Sequence, residues 1–426
     1  MTTSTPFTGL FWQSVPKVAA KKSEAPVRSW ESSTYLPYLA DAKAFSVSMF
    51  TTEELIAAAN HKEVLLFDIE CYMNYFLVAF TSFTSGKVVY LETTTAFTEP
   101  EIYKCRWIVE HFKLISFNGN SFDLPLLALA LAGKSCNELK HATNQIIQQQ
   151  VKPWIVLRSA KVPKLEVDHV DLIEVAPLQG SLKIYGGRLH VPKLQELPFH
   201  PDLVLTEDQI TCVRWYCINS DLTATAFLYA ELLPQIALRE SMSTKYGIDL
   251  RSKSDAQIAE AVITTEFRRL TGYDAPRTEI EPGTAYRYHV PAYVQFSTPL
   301  LQNVLDTVRN AAFVINETGS PVLPKEIAAL KINIGTSTYR MGIGGLHSCE
   351  EKQAVYADED HVLVDRDVAS YYPQIILNQR LYPKHLGEGF LDVYRNLVTQ
   401  RLAAKKRAGD IKEELRELKK KLAELS

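Results

Sequence analysis

Asp68 and Glu70 stand two residues apart in Glu63-Val64-Leu65-Leu66-Phe67-Asp68-Ile69-Glu70-Cys71, behind an apolar run. In a strand, positions i and i+2 share a face, so this spacing brings two carboxylates together on one side of a sheet. Such a pair is either part of a metal site or an ordinary strand end, and other acids decide which. Asp123 closes Asn118-Gly119-Asn120-Ser121-Phe122-Asp123, directly after the short apolar run Lys113-Leu114-Ile115-Ser116-Phe117. It opens a helix, where the turn can aim its carboxyl back at the first strand. Asp221 closes Tyr216-Cys217-Ile218-Asn219-Ser220-Asp221 on a later helix. Four carboxylates converging without basic partners repel one another, so a divalent cation must neutralise them, and ligation by oxygen alone favours Mg2+ or Mn2+. Two such ions about 4 Å apart, one activating water and one steadying a leaving oxygen, form an arrangement that cleaves phosphodiesters.

A second set lies in the last third of the chain. Asp367-Val368-Ala369-Ser370-Tyr371-Tyr372-Pro373 follows the apolar His361-Val362-Leu363-Val364, which reads as a strand with a turn at Pro373. Upstream, Gly342-Ile343-Gly344-Gly345-Leu346-His347 lets a backbone approach nucleic acid closely, or forms a simple bulge or turn. Arg401 and Lys405, four apart, share one helical face.

The elements that must position these residues follow from the apolar pattern. Residues 1–55 mix Ser, Thr, Pro and Lys with isolated aromatics and form a lead-in without a sustained period. Residues 56–238 read as an α/β domain: a three-strand meander (EVLLFDIEC, YFLVAFTSF, KVVYLETT), a helix over 99–112, the strand KLISF, and a buried helix closing on Gly133. Next come the strand-like HVDLIEV, a helix with a Gly186-Gly187 break, and a long helix from Glu207 to Leu233. Asp171 and Glu174 lie there as possible spectators of the acid set. A domain boundary is expected near 240. Residues 239–330 read as an inter-domain region with helices over 257–270 and 299–312. Residues 331–388 read as strands of a second sheet, and 389–426 as a charged helix whose Ile411, Leu415, Leu418, Leu422 and Leu425 form a heptad seam.

Composition sets the outer limits. The chain has 426 residues, 46% hydrophobic and 10% aromatic, enough for more than one core. A net charge of -3 provides no whole-chain basic field, so any nucleic-acid contact must be local. Six cysteines without a C-x-x-C pair read as reduced thiols of a cytoplasmic protein, with neither a disulfide frame nor a zinc site expected. No secretory leader and no run of 18 apolar residues occurs, which points away from a membrane protein.

The order Asp68-Ile69-Glu70, then Asn118 to Phe122-Asp123, then Tyr216 to Asp221 resembles a 3'-5' proofreading exonuclease domain. The family is the four-acidic-residue (DEDD) type, in the form attached to family B DNA polymerases, and the likeness covers about residues 60–235. It implies a ribonuclease-H-like domain with a mixed sheet and flanking helices. Asp68, Glu70, Asp123 and Asp221 would hold two Mg2+ or Mn2+ ions, Tyr216 would orient the attacking water, and Asn118 and Phe122 would contact the terminal nucleotide. Asn118 and Phe122 also fit plain turn chemistry and core packing. The family's tyrosine lies four residues before the last aspartate, whereas Tyr216 lies five before Asp221 and Cys217 fills the expected slot. One extra residue rotates a helical side chain by about 100°. Either the helix carries a single-turn π-bulge, or Tyr216 is an ordinary packed aromatic.

Asp367 to Pro373 resembles motif A of the same polymerases. This implies that residues 331–388 begin a polymerase palm and 389–426 a helical fingers segment. Asp367 would bind the catalytic Mg2+ ions of nucleotidyl transfer, Tyr372 would lie under the incoming sugar, and Arg401 and Lys405 would hold the dNTP triphosphate. The family's later K-x-x-x-N-S-x-Y-G-like helix and D-T-D acids do not occur before Ser426, so polymerisation by this chain alone is not expected. The implied activity is metal-dependent removal of mispaired 3'-terminal nucleotides from DNA during replication. The alternative is one half of a split polymerase, binding DNA and pairing its heptads with a partner chain that supplies the missing acids. The compact spacing fits a viral or phage protein.

Overall fold

A computed structural model describes residues 38–424 except 179, 277, 279 and 350. The chain divides into two compact units, Met1–Glu260 and Ala261–Ser426. Most of the expected lead-in lies outside the described residues. Its described end contains α1 (Leu39–Ala44) and the start of α2 (Thr52–Asn60), which opens on a capping box between Thr51 and Glu54.

The first unit is mixed α/β. β1 (Val64–Tyr72), β2 (Tyr75–Ser82) and β3 (Val88–Thr93) form the expected meander, followed by α3 (Glu99–His111), β4 (Lys113–Ser116), α4 (Asp123–Leu131), α5 (Cys136–Ile147) and α6 (Pro153–Ser159). Then come β5 (His169–Asp171), the short α7 (Leu172–Val175), α8 (Leu182–Arg188), α9 (Glu207–Tyr216), a π turn (Cys217–Asp221) and α10 (Leu222–Tyr246). The five strands lie in the order β3-β2-β1-β4-β5. β1 pairs antiparallel with β2 and parallel with β4, and β5 is parallel to β4. The sheet is therefore mixed.

Helices cover both faces, and the alternation along β1 shows how. Leu65, Phe67, Ile69 and Cys71 enter one core, with Phe76, Phe80, Ile108, Leu126, Leu127 and Leu139. Leu66 and Tyr72 enter the other, with Leu77, Ile115, Val213, Cys217, Leu222 and Leu228. Asp68 and Glu70 have the parity of Leu66 and Tyr72, so they interrupt the apolar row beneath α9, the π turn and α10. Phe67, Phe76 and Phe80 are fully buried; truncating any of them to Ala would cost about 3–5 kcal/mol.

Three details differ from the sequence expectation here. The helix expected to end at Leu233 continues to Tyr246, so the boundary expected near 240 falls inside it and the units divide after Glu260. α10 stops instead at Gly247, whose φ of 71° closes the helix in the left-handed conformation. Gly186 and Gly187 do not break a helix; they lie in the last turns of α8. A Cβ on Gly186 would meet Leu194 Cδ1 at 2.7 Å, so this glycine lets a neighbouring segment approach.

α11 (Asp255–Thr271) spans the division between the units. The second unit contains β6 (Ala285–Tyr286), α12 (Pro299–Asn310), β7 (Phe313–Val314), α13 (Lys325–Ala328) and a three-stranded sheet of β8 (Ile332–Ile334), β9 (Ser337–Gly342) and β10 (Gly345–Ser348). α14 (Tyr371–Asn378) and α15 (Gly389–Glu424) follow. The strand expected over 361–364 is not formed. Val362, Leu363 and Val364 are exposed, and a lone extended segment without a pairing partner or a surface to cover has no reason to settle as a strand. On α15, Ile411, Leu415 and Leu418 of the heptad seam are exposed, while Leu425 lies outside the described residues.

Candidate functional site

The first unit brings the four acids expected from sequence to one place. β1 supplies Asp68 and Glu70, opposite Ala79 and Leu77 of β2. Its pairing with β4 ends at Leu66 and Ile115, so the two carboxylates project just beyond the point where β4 turns away. The crevice outside the carboxyl ends of parallel strands is where α/β sheets place their sites. Asn118 makes that turn in the left-handed conformation, with φ 66°, which asparagine tolerates better than most residues. Asp171 fixes the turn by accepting from the Asn118 N–H at 2.7 Å and the Asn120 N–H at 2.9 Å. α4 then starts at Asp123, which is 2% exposed. Its Oδ1 is buried without a hydrogen-bond partner.

The fourth acid arrives through the π turn. The Leu222 N–H bonds to the Cys217 carbonyl, an i to i+5 step that absorbs one extra residue. The π-bulge, one of the two readings of the tyrosine offset, is thus present. Tyr216 is not an ordinary packed aromatic: its hydroxyl donates to Asp221 Oδ2 at 2.9 Å and accepts from Lys183 Nζ at 2.8 Å. The Lys183 ammonium also lies 5.0 Å from the centre of the Tyr216 ring.

The electrostatics describe an unneutralised anionic cluster. Burial, and then the charge of Asp221, push the Asp68 carboxyl up to about 7. Glu70 is pushed well up by burial and then by Asp68, and Asp123 by burial and then by Asp68. Burial also raises Asp221, against the pull of Lys183 and the Tyr216 hydrogen bond. Lys183 is the cation whose charge lowers Asp68, Glu70 and Asp221 alike. One ammonium against four carboxylates, two buried (Glu70, Asp123) and two half-buried (Asp68, Asp221), leaves the cluster short of positive charge, and Asp123 Oδ1 lacks a partner. Asp68, Glu70 and Cys217 each offer a ligand atom within 4.8 Å of the others, a donor set that could hold a cation, while Asp123 and Asp221 act on it by charge.

Asn118 and Phe122 share the lining of a groove with Ser121, Ile146, Ile147 and Gln150. Phe122 also packs partly against the core, so it serves both readings.

Lys183 was not singled out from the sequence, where its segment reads as connection and core. Its local signal is only a lysine in the first turn of a short amphipathic helix. Asp171 was left open as a spectator; it anchors the Asn118 turn. Glu174 lines a second cleft with Asn118, Arg239 and Asp255. Cys217 joins the site too: its thiol donates a hydrogen bond to Asp68 Oδ2 at 3.5 Å.

In the second unit, Tyr372 donates to the Gly344 carbonyl at 2.7 Å, which ties the Asp367 to Pro373 segment to the glycine-rich hairpin tip between β9 and β10. Arg401 on α15 donates to Ser370 Oγ at 3.0 Å. Asp367 is exposed in irregular chain and Lys405 is exposed on α15. The structure therefore brings Ser370, Tyr372, Gly344 and Arg401 together, and Asp367 belongs to no cluster of three metal-ligating side chains among the described residues. No described helix is long and apolar enough to cross a membrane. Comparison with family models, curated proteins and solved structures gave no match.

Proposed function

We propose that the first unit is a metal-dependent 3'-5' DNA exonuclease of ribonuclease-H-like fold, the editing part of a family B DNA polymerase. The observation that carries this reading is the convergence of Asp68, Glu70, Asp123 and Asp221, from three distant segments, on one partly buried spot beside the Lys183–Tyr216 pair. When bound there, Mg2+ or Mn2+ would supply charge neutralisation, activation of water and stabilisation of the leaving 3'-oxygen.

The chain's own residues do the rest. Lys183 Nζ fixes the Tyr216 hydroxyl, whose proton is committed to Asp221. The remaining N–H donors of Lys183 can hold a water beside the carboxylates and orient it for attack. Phe122 offers an aromatic surface at the groove for stacking the terminal base, and Asn118 offers a polar edge. In the second unit, Asp367 belongs to an incomplete nucleotidyl-transfer site. Tyr372, held on Gly344, and Arg401 and Lys405 on α15 are its sugar and triphosphate contacts.

The test is digestion of a 3'-labelled single-stranded oligonucleotide with Mg2+ or with EDTA, beside Asp68→Ala. Metal-dependent shortening from the 3' end that the variant lacks is the expected result. Digestion in EDTA, or full activity of Asp68→Ala, overturns the reading.

A second reading is favoured by one observation, the exposed apolar stretch Val362-Leu363-Val364 together with exposed Ile411, Leu415 and Leu418 on α15. In that reading the chain is a DNA-binding assembly module of a split polymerase. DNA binding without digestion in the same assay would favour it.

A further inference from the structure

We propose that Cys217 is itself a ligand in this centre, which becomes a mixed oxygen–sulfur site that takes zinc, a thiophilic divalent cation, through Cys217 Sγ, Asp68 and Glu70. The proposal rests on reading the acids as a metal centre and adds the sulfur to it. Among the described residues, Asp68, Glu70 and Cys217 are the one group of three whose donor atoms all lie within 4.8 Å of one another. The Sγ to Asp68 Oδ2 separation is 3.5 Å. A tetrahedral zinc with Zn–S of about 2.3 Å and Zn–O of about 2.1 Å requires donors about 3.6 Å apart, so these two atoms already stand at chelating distance.

The buried Asp123 Oδ1 is a further, independent sign of a missing ligand. It has no hydrogen-bond partner, and its carboxyl lies close enough to Asp68 and Glu70 for their charges to act on one another. Cys217 is fully buried as well, on the first residue of the π turn and on the side that faces the β1 carboxylates. The other thiols are placed differently. Cys71 lies on the opposite face of β1, in the other core, and Cys349 is exposed in the second unit. Thiolate ligation favours zinc and cadmium over magnesium. On binding, the S–H bond breaks, the sulfur–metal bond forms and the proton passes to the buffer, with no change of oxidation state.

Cadmium is the probe, because its bond to sulfur gives an ultraviolet charge-transfer absorption that oxygen ligation does not. The full chain carrying Cys349→Ser, freed of metal with EDTA and dialysed, is titrated with Cd2+ and followed by absorbance and calorimetry. The expected result is a band that saturates at equimolar cadmium. Adding Cys217→Ser abolishes the band and weakens binding by more than about 100-fold, beyond the range for loss of an outer-shell partner. Adding Asp68→Asn instead keeps the thiol and weakens binding at least about 10-fold. Circular dichroism of each variant reports folding, and the Asp68→Asn arm still decides the question if Cys217→Ser fails to fold. Absence of the band in the folded parent, its survival in Cys217→Ser, or undiminished affinity in Asp68→Asn overturns the proposal. Mg2+-dependent digestion is read separately. Digestion without a band leaves an oxygen-only nuclease centre and removes the sulfur ligand. A band without digestion keeps the mixed site and removes the nuclease.

Discussion

The anionic cluster predicts that the metal-free first unit loses stability as pH rises. A carboxyl whose folded pKa exceeds its unfolded value adds stability that is complete below the unfolded value and lost as pH climbs through the folded one. Asp68 rises from 3.8 to about 7, through burial first and Asp221 second. About three units at about 1.36 kcal/mol each gives roughly 4 kcal/mol, an upper figure because Asp68 is only half-buried. Glu70, Asp123 and Asp221 are shifted the same way. His169 acts in the opposite sense. Burial, and then Arg251, hold it down at about 3, so its contribution is present above 6.5 and lost as pH falls from there. Between about pH 4 and 6.5 the slopes of His169 and Asp68 oppose each other, and Asp68 is unopposed by it from 6.5 upward. Asp68→Asn removes the Asp68 contribution and keeps that of His169. The assay is therefore thermal melting in EDTA from pH 5 to 8, wild type beside Asp68→Asn. Only the two pH units between pH 5 and 7 fall inside that window, roughly 2.7 kcal/mol, so the wild-type melting temperature should fall relative to the variant by up to about 5–11 °C, at about 2–4 °C per kcal/mol for a domain of this size. Saturating Mn2+ should raise the wild type most at high pH, because the metal replaces the protons. Parallel pH profiles for the two proteins, or no gain from Mn2+, refute the reasoning.

Tyr216→Phe should lower nuclease turnover by about 100-fold with far-ultraviolet circular dichroism unchanged, because it removes the hydroxyl between Lys183 and Asp221; unaltered turnover sinks the role. Asp171→Ala strips the acceptor from the Asn118 and Asn120 N–H groups. It should cost about 2 kcal/mol or more in denaturant unfolding and weaken single-stranded DNA binding, and a stable variant with full affinity refutes the anchoring. Gly186→Ala brings a methyl to 2.7 Å from Leu194 Cδ1. That atom ends a flexible side chain, so the loss should sit near 1 kcal/mol, the low end of overpacking, and a melting temperature at or above wild type shows that the contact is not tight.

Much of the first unit was legible because its signals are local. The apolar runs at 64–67 and 75–80 have the length and composition of strands, and parity along β1 places Asp68 and Glu70 on one face before any tertiary contact is known. The π turn was half legible: the five-residue interval between Tyr216 and Asp221 left either a π-bulge or an ordinary packed aromatic, and only the fold chooses between them. Lys183 and Asp171 were not legible. Lys183 meets Tyr216 across 33 residues and Asp171 meets Asn118 across 53, and no local pattern encodes either meeting. Residues 361–364 show the converse. Their apolar character suits a strand, but a strand exists only with a partner, and the described chain provides none.

The π turn also explains why one site holds both a hydroxyl and a thiol. In a regular α-helix, residues four apart share a face and a residue five apart points well away. Cys217 and Asp221 would then face the carboxylates together, and Tyr216 would turn from them. The i to i+5 step changes which residue meets Asp221: the Tyr216 hydroxyl reaches its carboxylate at 2.9 Å. Cys217 is not expelled in exchange, because its Sγ remains 3.5 Å from Asp68 on the facing strand. The extra residue thus adds an oxygen donor held by Lys183 without removing the sulfur. A nuclease role for Tyr216 and a ligand role for Cys217 are therefore compatible consequences of one local distortion.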